Sequence, residues 1–342
     1  MNSSPFMRAC RREPVPYTPI WLMRQAGRYM PEYRELRARV RFLELCKTPS
    51  LAAEVTVTAA ERLGVDAAII FADILLIVEP MEIELEFVGG AGPTIHNPIR
   101  ASADVKRLRE VDDIGSLDYV FQAIKEARAA LPLGLPLIGF CGGPFTLASY
   151  IIEGRGSSNY VHTKSLMYSD RGAWDELLSL ISRALIKYLN AQVAAGAQAV
   201  QLFDSWVGCL APDDYREYVQ PHTRSVIDGI TPGTPVIHFG AGTGSLLELM
   251  GEAGGDVIGL DWRVRLDDAW QRIGHDRAVM GNLDPAVLFA GPDQIRTQAK
   301  NILDQAGGRP GHIFNLGHGI LPETPVENVI SLVDAVHELS AK

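Results

Sequence analysis

The chain has 342 residues, of which 47% are hydrophobic and 21% charged, and a net charge of −9. That composition excludes a disordered chain and fits one large or two ordinary domains around a substantial core. The acidic balance excludes a nucleic-acid surface, which would make the domain basic as a whole.

The longest apolar run, residues 67–78, is interrupted by Asp73 and is too short to cross a bilayer, so no membrane partner is expected. Charge is unevenly spread. Residues 1–50 carry ten Lys and Arg against four Glu, a local +6, while the other 292 residues carry 22 basic and 37 acidic side chains, or −15. One arginine-dense segment in an acidic protein points to a polyanionic small molecule held at one place. The N-terminus lacks the apolar stretch of a secretory signal. Cys10, Cys46, Cys141 and Cys209 are scattered without metal-ligand spacing, which reads as free thiols in a reducing, cytoplasmic compartment.

In chain order, the first predicted strand, Pro19–Met23, runs directly into Arg24-Gln25-Ala26-Gly27-Arg28, and the second, Ala67–Phe71, leads to Asp73. Residues 81–88 (MEIELEFV) then alternate strictly and meet Gly89-Gly90. This predicts a half-buried antiparallel strand within an inserted β-hairpin near residues 80–98. Near-continuous apolar runs follow at Leu135–Phe140, Ala199–Phe203, Pro235–Phe239, Val257–Leu260, Ala278–Gly281 and His312–Leu316, the pattern of parallel strands covered on both faces. Helical patterns fill most intervals. Asp175–Ala194 places Leu177, Leu178, Ile181, Leu185, Leu189 and Val193 at helical spacing before a stop at Gly196, and Pro285–Ala306 has Asp284 as N-cap and Pro285 at the first helical position.

Eight such βα units predict a (β/α)8 (TIM) barrel with an extra hairpin; a doubly wound open sheet is the alternative. Each predicted strand ends in glycines or polar groups: Asp73, Cys141-Gly-Gly-Pro144, Asp204-Ser205, Gly240-Ala-Gly242, Asp261-Trp-Arg263, Asn282-Leu-Asp284 and Gly317-His-Gly319. A barrel brings those ends to one rim, whereas an open sheet gathers them at one switch point. No linker or low-complexity tract divides residues 1–342, so one domain is expected.

Within this frame Asp73 is an anionic group in an apolar run, costly to bury unless paired. It reads either as a helix N-cap or as an acceptor for a ligand's N–H groups or cation. His318, between two glycines, reads as a structural histidine or a ligand contact. Tyr150 is core or a hydroxyl donor. Ser205 lacks a neighbouring base and a G-x-S-x-G setting, so it reads as a hydrogen-bond donor and not a nucleophile. Gly240-Ala-Gly-Thr-Gly244 carries neither a dinucleotide fingerprint nor a Walker lysine.

The segment Trp21–Arg34 (WLMRQAGRYMPEYR) and residues 139–147 (GFCGGPFTL) closely resemble the two signatures of the uroporphyrinogen decarboxylase family. Residues 71–75 (FADIL), 201–205 (QLFDS), 259–262 (GLDW), 281–285 (GNLDP) and 315–319 (NLGHG) resemble it too, in family order. The resemblance covers Pro19 to Leu339. It implies a single distorted barrel, commonly a homodimer with facing clefts. It also implies loss of carbon dioxide from the four acetate arms of uroporphyrinogen III, giving coproporphyrinogen III without metal or organic cofactor. It assigns Arg24 and Asp73 to catalysis, and Arg24, Gln25, Ala26, Gly27, Arg28, Asp73, Tyr150, Ser205 and His318 to substrate, with Arg37 as a further candidate. The chain departs from the family pattern at Trp206, Val207 and Arg155, changes that would alter pocket shape without removing a named group.

The residue types suit that chemistry. Arginine forks match a substrate with eight carboxylates, and one carboxylate can accept from four converging pyrrole N–H groups. A zinc- and corrinoid-linked methyltransferase on a related barrel is the competing enzyme reading, but His238-Phe-Gly240 has no cysteine to complete the expected ligands. A porphyrinogen-binding protein without turnover is the non-enzymatic reading, which the presence of Asp73, Arg24 and Arg28 disfavours.

Overall fold

The computed structural model describes residues 3–88 and 92–342. Its described strands are β1 (Ala68–Ile69), β2 (Leu85–Val88), β3 (Gly92–Ile95), β4 (Leu137–Gly142), β5 (Ala199–Asp204), β6 (Val236–Gly240), β7 (Val257–Gly259), β8 (Ala278–Met280) and β9 (His312–Ile313). Strands β1 and β4 to β9 pair in that order, all parallel, in one sheet. Every residue of β4 and of β6 is buried. Helices cover one face and the other faces inward, which is why the runs are apolar without alternation.

The predicted strand Pro19–Met23 makes one ladder bridge, Ile20 to Phe314, yet it spans both edges of the sheet. The Phe314 N–H donates to Pro19 O (2.8 Å) and the Asp66 N–H to Ile20 O (2.8 Å). Side chains hold what the ladder does not, beginning with Asp66 Oδ2, which accepts from Ile20 N (2.8 Å). Gln25 Oε1 accepts from Leu22 N (3.1 Å) while its Nε2 donates to Ala67 O (3.2 Å), and Asn315 Oδ1 accepts from Met23 N (3.1 Å). The curled sheet is thereby closed as a barrel. Its lumen is packed: Gln201 Nε2 on β5 lies 3.7 Å from Met23 Sδ, a contact between strands that are not neighbours.

Outside the sheet, the long helix Arg171–Ala195 contains the predicted span Asp175–Ala194. Asp170 caps it by accepting from Ala173 N (3.0 Å), and Gly196 at φ 123° ends it. Trp174, Leu177, Leu178, Ile181, Leu185 and Leu189 are buried on its inner face, each contributing about 1.5–3 kcal/mol. The span Pro285–Ala306 is two elements and not one. Asp284 caps a 3-10 turn, Pro285–Phe289, and a separate helix begins at Pro292. Proline disfavours the helical region for the residue before it, and Gly291 is accordingly extended (φ −69°, ψ 158°).

The hairpin forms by antiparallel pairing of β2 and β3. It starts later than the alternation suggests because Leu76–Met81 is a 3-10 helix ended by Glu82 in the left-handed region (φ 66°). Its predicted Gly89-Gly90 turn lies outside the described residues.

Candidate active site

The sheet is parallel, so the ends of its strands meet on one rim. Arg24 and Arg28 leave the segment after Met23 on an irregular turn. Gln25 N–H donates to Leu22 O (2.9 Å), Met30 N–H to Gly27 O (3.0 Å), and the Tyr29 hydroxyl to Gln25 O (2.6 Å). Arg24 sits at φ 62°, a left-handed conformation that costs a side chain about 1–2 kcal/mol. It carries the guanidinium across Gly319, where an added Cβ would stand 2.4 Å from Arg24 Cδ. Both arginines are exposed, and among the described residues neither has a hydrogen-bond acceptor or ion-pair partner. Gln25 is different: fully buried, with its amide engaged at both ends, it positions the turn. Ala26 and Gly27 are half-buried, and a Cβ on Gly27 would stand 3.0 Å from Arg24 O.

Asp73 follows β1 in a turn closed by Leu75 N–H on its Oδ1 (2.9 Å), so the local cap is real. Only one oxygen serves it. Burial pushes the carboxyl up to about 6, against the pull of the Leu75 N–H and the Arg24 charge. It is half ionised near pH 6 and mostly ionised at neutrality.

Tyr150, on the helix Pro144–Glu153, lies flat on Trp206 (centroids 3.8 Å, 28°). Tyr160 meets that indole edge-on at 5.4 Å. Burial first and the Asp73 charge second push the Tyr150 phenol up to about 12, while Arg24 lowers it; at neutrality it is a hydroxyl donor. Ser205 is half-buried immediately after β5. Beside it, Asp204 is fully buried, with Oδ1 accepting from Thr146 Oγ1 (2.8 Å) and Thr146 N (3.3 Å). A Cβ on Gly143 would stand 2.6 Å from the Asp204 Cγ, so that glycine makes room for the carboxylate. Burial lifts Asp204 to about 6.

His318 is half-buried, and burial, then Arg24, then Arg263, lower it to about 4. It is therefore a neutral imidazole at physiological pH. Trp262 approaches it edge-on (6.4 Å). Gly317 lets the backbones pass, since a Cβ there would lie 2.3 Å from Trp262 N.

Arg24, Asp73, Tyr150 and His318 thus form one electrostatic group. Arg37 donates to Val40 O and covers the Phe42 ring at 5.7 Å. Sequence reasoning places Asp204 and Arg263 among the strand ends of the rim and Trp206 among the residues that shape the pocket, but gives none of the three a role of its own. For Asp204 the signal was the one used for Asp73, a carboxylate ending an apolar run. Among the described residues no three His, Cys, Asp or Glu side chains are grouped to hold a metal ion.

The family model described as uroporphyrinogen decarboxylase (URO-D) matches residues 1–339. A protein of that name from Carboxydothermus hydrogenoformans is 59% identical over 342 residues, covering 100% of this chain and 97% of the relative. One from Sorangium cellulosum is 58% identical over 335 residues, covering 98% and 96%. Among solved structures, a methyltransferase from Methanosarcina mazei superposes with a TM-score of 0.80 at 21% identity, covering 98% of each chain. That likeness concerns the fold alone.

Proposed function

The chain belongs to the uroporphyrinogen decarboxylase family and is a carboxy-lyase of porphyrin biosynthesis; from that premise we propose how its rim acts on the substrate. The substrate is uroporphyrinogen III, and the reaction removes its four acetate carboxyl groups in turn to give coproporphyrinogen III. Arg24 and Arg28 receive peripheral carboxylates, and Tyr150, Ser205 and His318 offer neutral hydrogen bonds. Asp73 accepts pyrrole N–H groups.

Decarboxylation needs an electron sink, and the substrate supplies it. Protonation of a pyrrole α-carbon gives an iminium cation. Cleavage of the bond to the acetate carboxylate releases carbon dioxide and sends its electron pair into that cation. Protonation of the exposed methylene and loss of the α-proton restore the pyrrole with a methyl group. No metal or organic cofactor is required. The ionised Asp73 faces the cation: at ~4 Å and an effective dielectric of ~20 the attraction is roughly 4 kcal/mol, about three decades in rate where it is felt in the transition state.

The observation that carries this reading is a half-buried carboxylate, Asp73, that feels the charge of Arg24, an arginine without a partner among the described residues. The resemblance further suggests a homodimer with facing clefts. A cytoplasmic location fits four free thiols and the lack of a membrane-spanning helix among the described residues.

Anaerobic incubation with uroporphyrinogen III tests the reaction. Porphyrins with seven, six, five and four carboxylates should appear in succession after oxidation. Asp73→Asn should bind substrate and lose turnover by about 1,000-fold; a variant retaining near-normal kcat would remove Asp73 from the mechanism.

A further inference from the structure

The loop after β7 presents a guanidinium that the reading above leaves unused. Asp261 is 1% exposed. Its Oδ1 accepts from Arg263 N (2.9 Å), and its Oδ2 accepts from Arg263 Nη1 (2.9 Å) and from Gly242 N on the preceding rim loop. The guanidinium carbon of Arg263 lies 3.9 Å from the Trp262 ring centroid, and Trp262 in turn touches His318 edge-on. The side chain is therefore fixed by an ion pair and a stacked ring, yet it remains 54% exposed. Among the described residues its Nε and Nη2 have no acceptor.

A contiguous shelf results. Arg24 crosses Gly319, His318 follows, Gly317 abuts the Trp262 backbone, and Arg263 lies on the Trp262 ring. Arg24 and Arg263 both depress the basicity of His318, so both charges are felt at that imidazole. Arg24 and Arg28 come from the turn after the first barrel segment, while Arg263 comes from the loop after β7. A macrocycle with carboxylates around its whole edge needs cations on more than one side.

We propose that Arg263 is a second substrate-carboxylate receptor, a positioning residue that holds a peripheral carboxylate arm of the tetrapyrrole beyond His318, with Asp261 and Trp262 orienting its free edge. This rests on the decarboxylase reading of the same site. A guanidinium held in advance loses little freedom on binding, and its planar fork fits a carboxylate where an ammonium would offer one point charge.

The test is steady-state kinetics of the full-length protein with uroporphyrinogen III, comparing wild type, Arg263→Gln and Arg263→Lys at two salt concentrations, with thermal melts alongside. Arg263→Gln should raise KM about tenfold and leave kcat within about threefold. Its KM should also rise less steeply with salt than that of the wild type. Arg263→Lys, which keeps a charge for Asp261, should fall between the two.

A KM for Arg263→Gln within twofold of wild type would overturn the proposal and assign Arg263 to bracing Asp261. So would a raised KM that lysine does not partly restore and whose salt dependence is unchanged. Should the glutamine variant fail to fold, the lysine variant alone decides, by a KM raised or not. A wild-type protein that does not convert uroporphyrinogen would instead defeat the underlying reading, a result separable from any difference among variants.

Discussion

Asp73 is asked to be charged where burial resists charge. Because its folded-state value is raised to about 6, the folded protein holds that proton more tightly than the unfolded chain. Stability therefore declines as pH climbs from about 4 through 6, by up to about 3 kcal/mol for a shift of two units. Asp73→Asn should accordingly melt higher than wild type at pH 8 and converge with it below pH 4, while remaining inactive; a lower melting temperature at pH 8 would contradict the burial argument. Wild-type kcat/KM should fall as pH drops through about 6, and a profile flat to pH 5 would detach activity from this carboxylate. A second residue-scale outcome concerns Gly319. Its added Cβ would meet the flexible stem of Arg24 and not backbone, so Gly319→Ala should cost less than about 1 kcal/mol of stability. Displacing the guanidinium should nonetheless lower kcat/KM by tenfold or more; equal kinetics would show that Arg24 does not need its track.

At the scale of elements, the segment Pro19–Met23 is held by backbone bonds to Phe314, Asp66 and Ile320 and by the side chains of Asp66, Gln25 and Asn315. Asn315 Oδ1 accepts from both Met23 N and Leu316 N (2.8 Å). Asn315→Ala leaves buried donors unpaired at about 1–3 kcal/mol, and should loosen the arginine turn as well. Hydrogen exchange should quicken at residues 21–25 before it does so in β4 or β5; uniform protection would mean the ladder alone secures the segment. The same contrast explains what was legible in the sequence. Strands β4 to β8 announce themselves because both faces are covered and the run is apolar. Asp73 and His318 stand out because a charged or titratable residue interrupts such a run or sits between glycines. Gln25 was indistinguishable from the exposed Arg24 and Arg28 in the motif, because only the fold brings Ala67 O to its amide. Arg263 and Trp206 were named, as a strand-end residue and a shaper of the pocket, without the contacts that give them a role. Trp206 is set by Tyr150, and the Asp261 and Trp262 that hold Arg263 are themselves met by Gly242 and His318, residues that parallel closure brings to the same rim. The break at Pro292 was visible in the proline and was overridden by the apolar periodicity on either side.

For the molecule as a whole, the arginine turn, the hairpin of β2 and β3 and the aromatic wall of Tyr150, Trp206 and Tyr160 belong to different parts of one barrel. The facing-cleft dimer that the family resemblance suggests should sediment at twice the chain's mass at micromolar concentration, and a monomer under those conditions would set it aside. Barrel closure has a temporal side too. Ile20 bridges Phe314, Thr18 N–H donates to Ser340 Oγ (2.8 Å), and Lys342 N–H donates to Pro16 O (3.0 Å). A ribosome making roughly 5–20 residues per second releases the arginine turn roughly 15–60 s before the strand that must seat it. Until then the nascent chain displays its basic segment without a barrel to hold it. The part of the site made first is thus completed last, and a chain interrupted before β9 carries the arginines with no rim on which to use them.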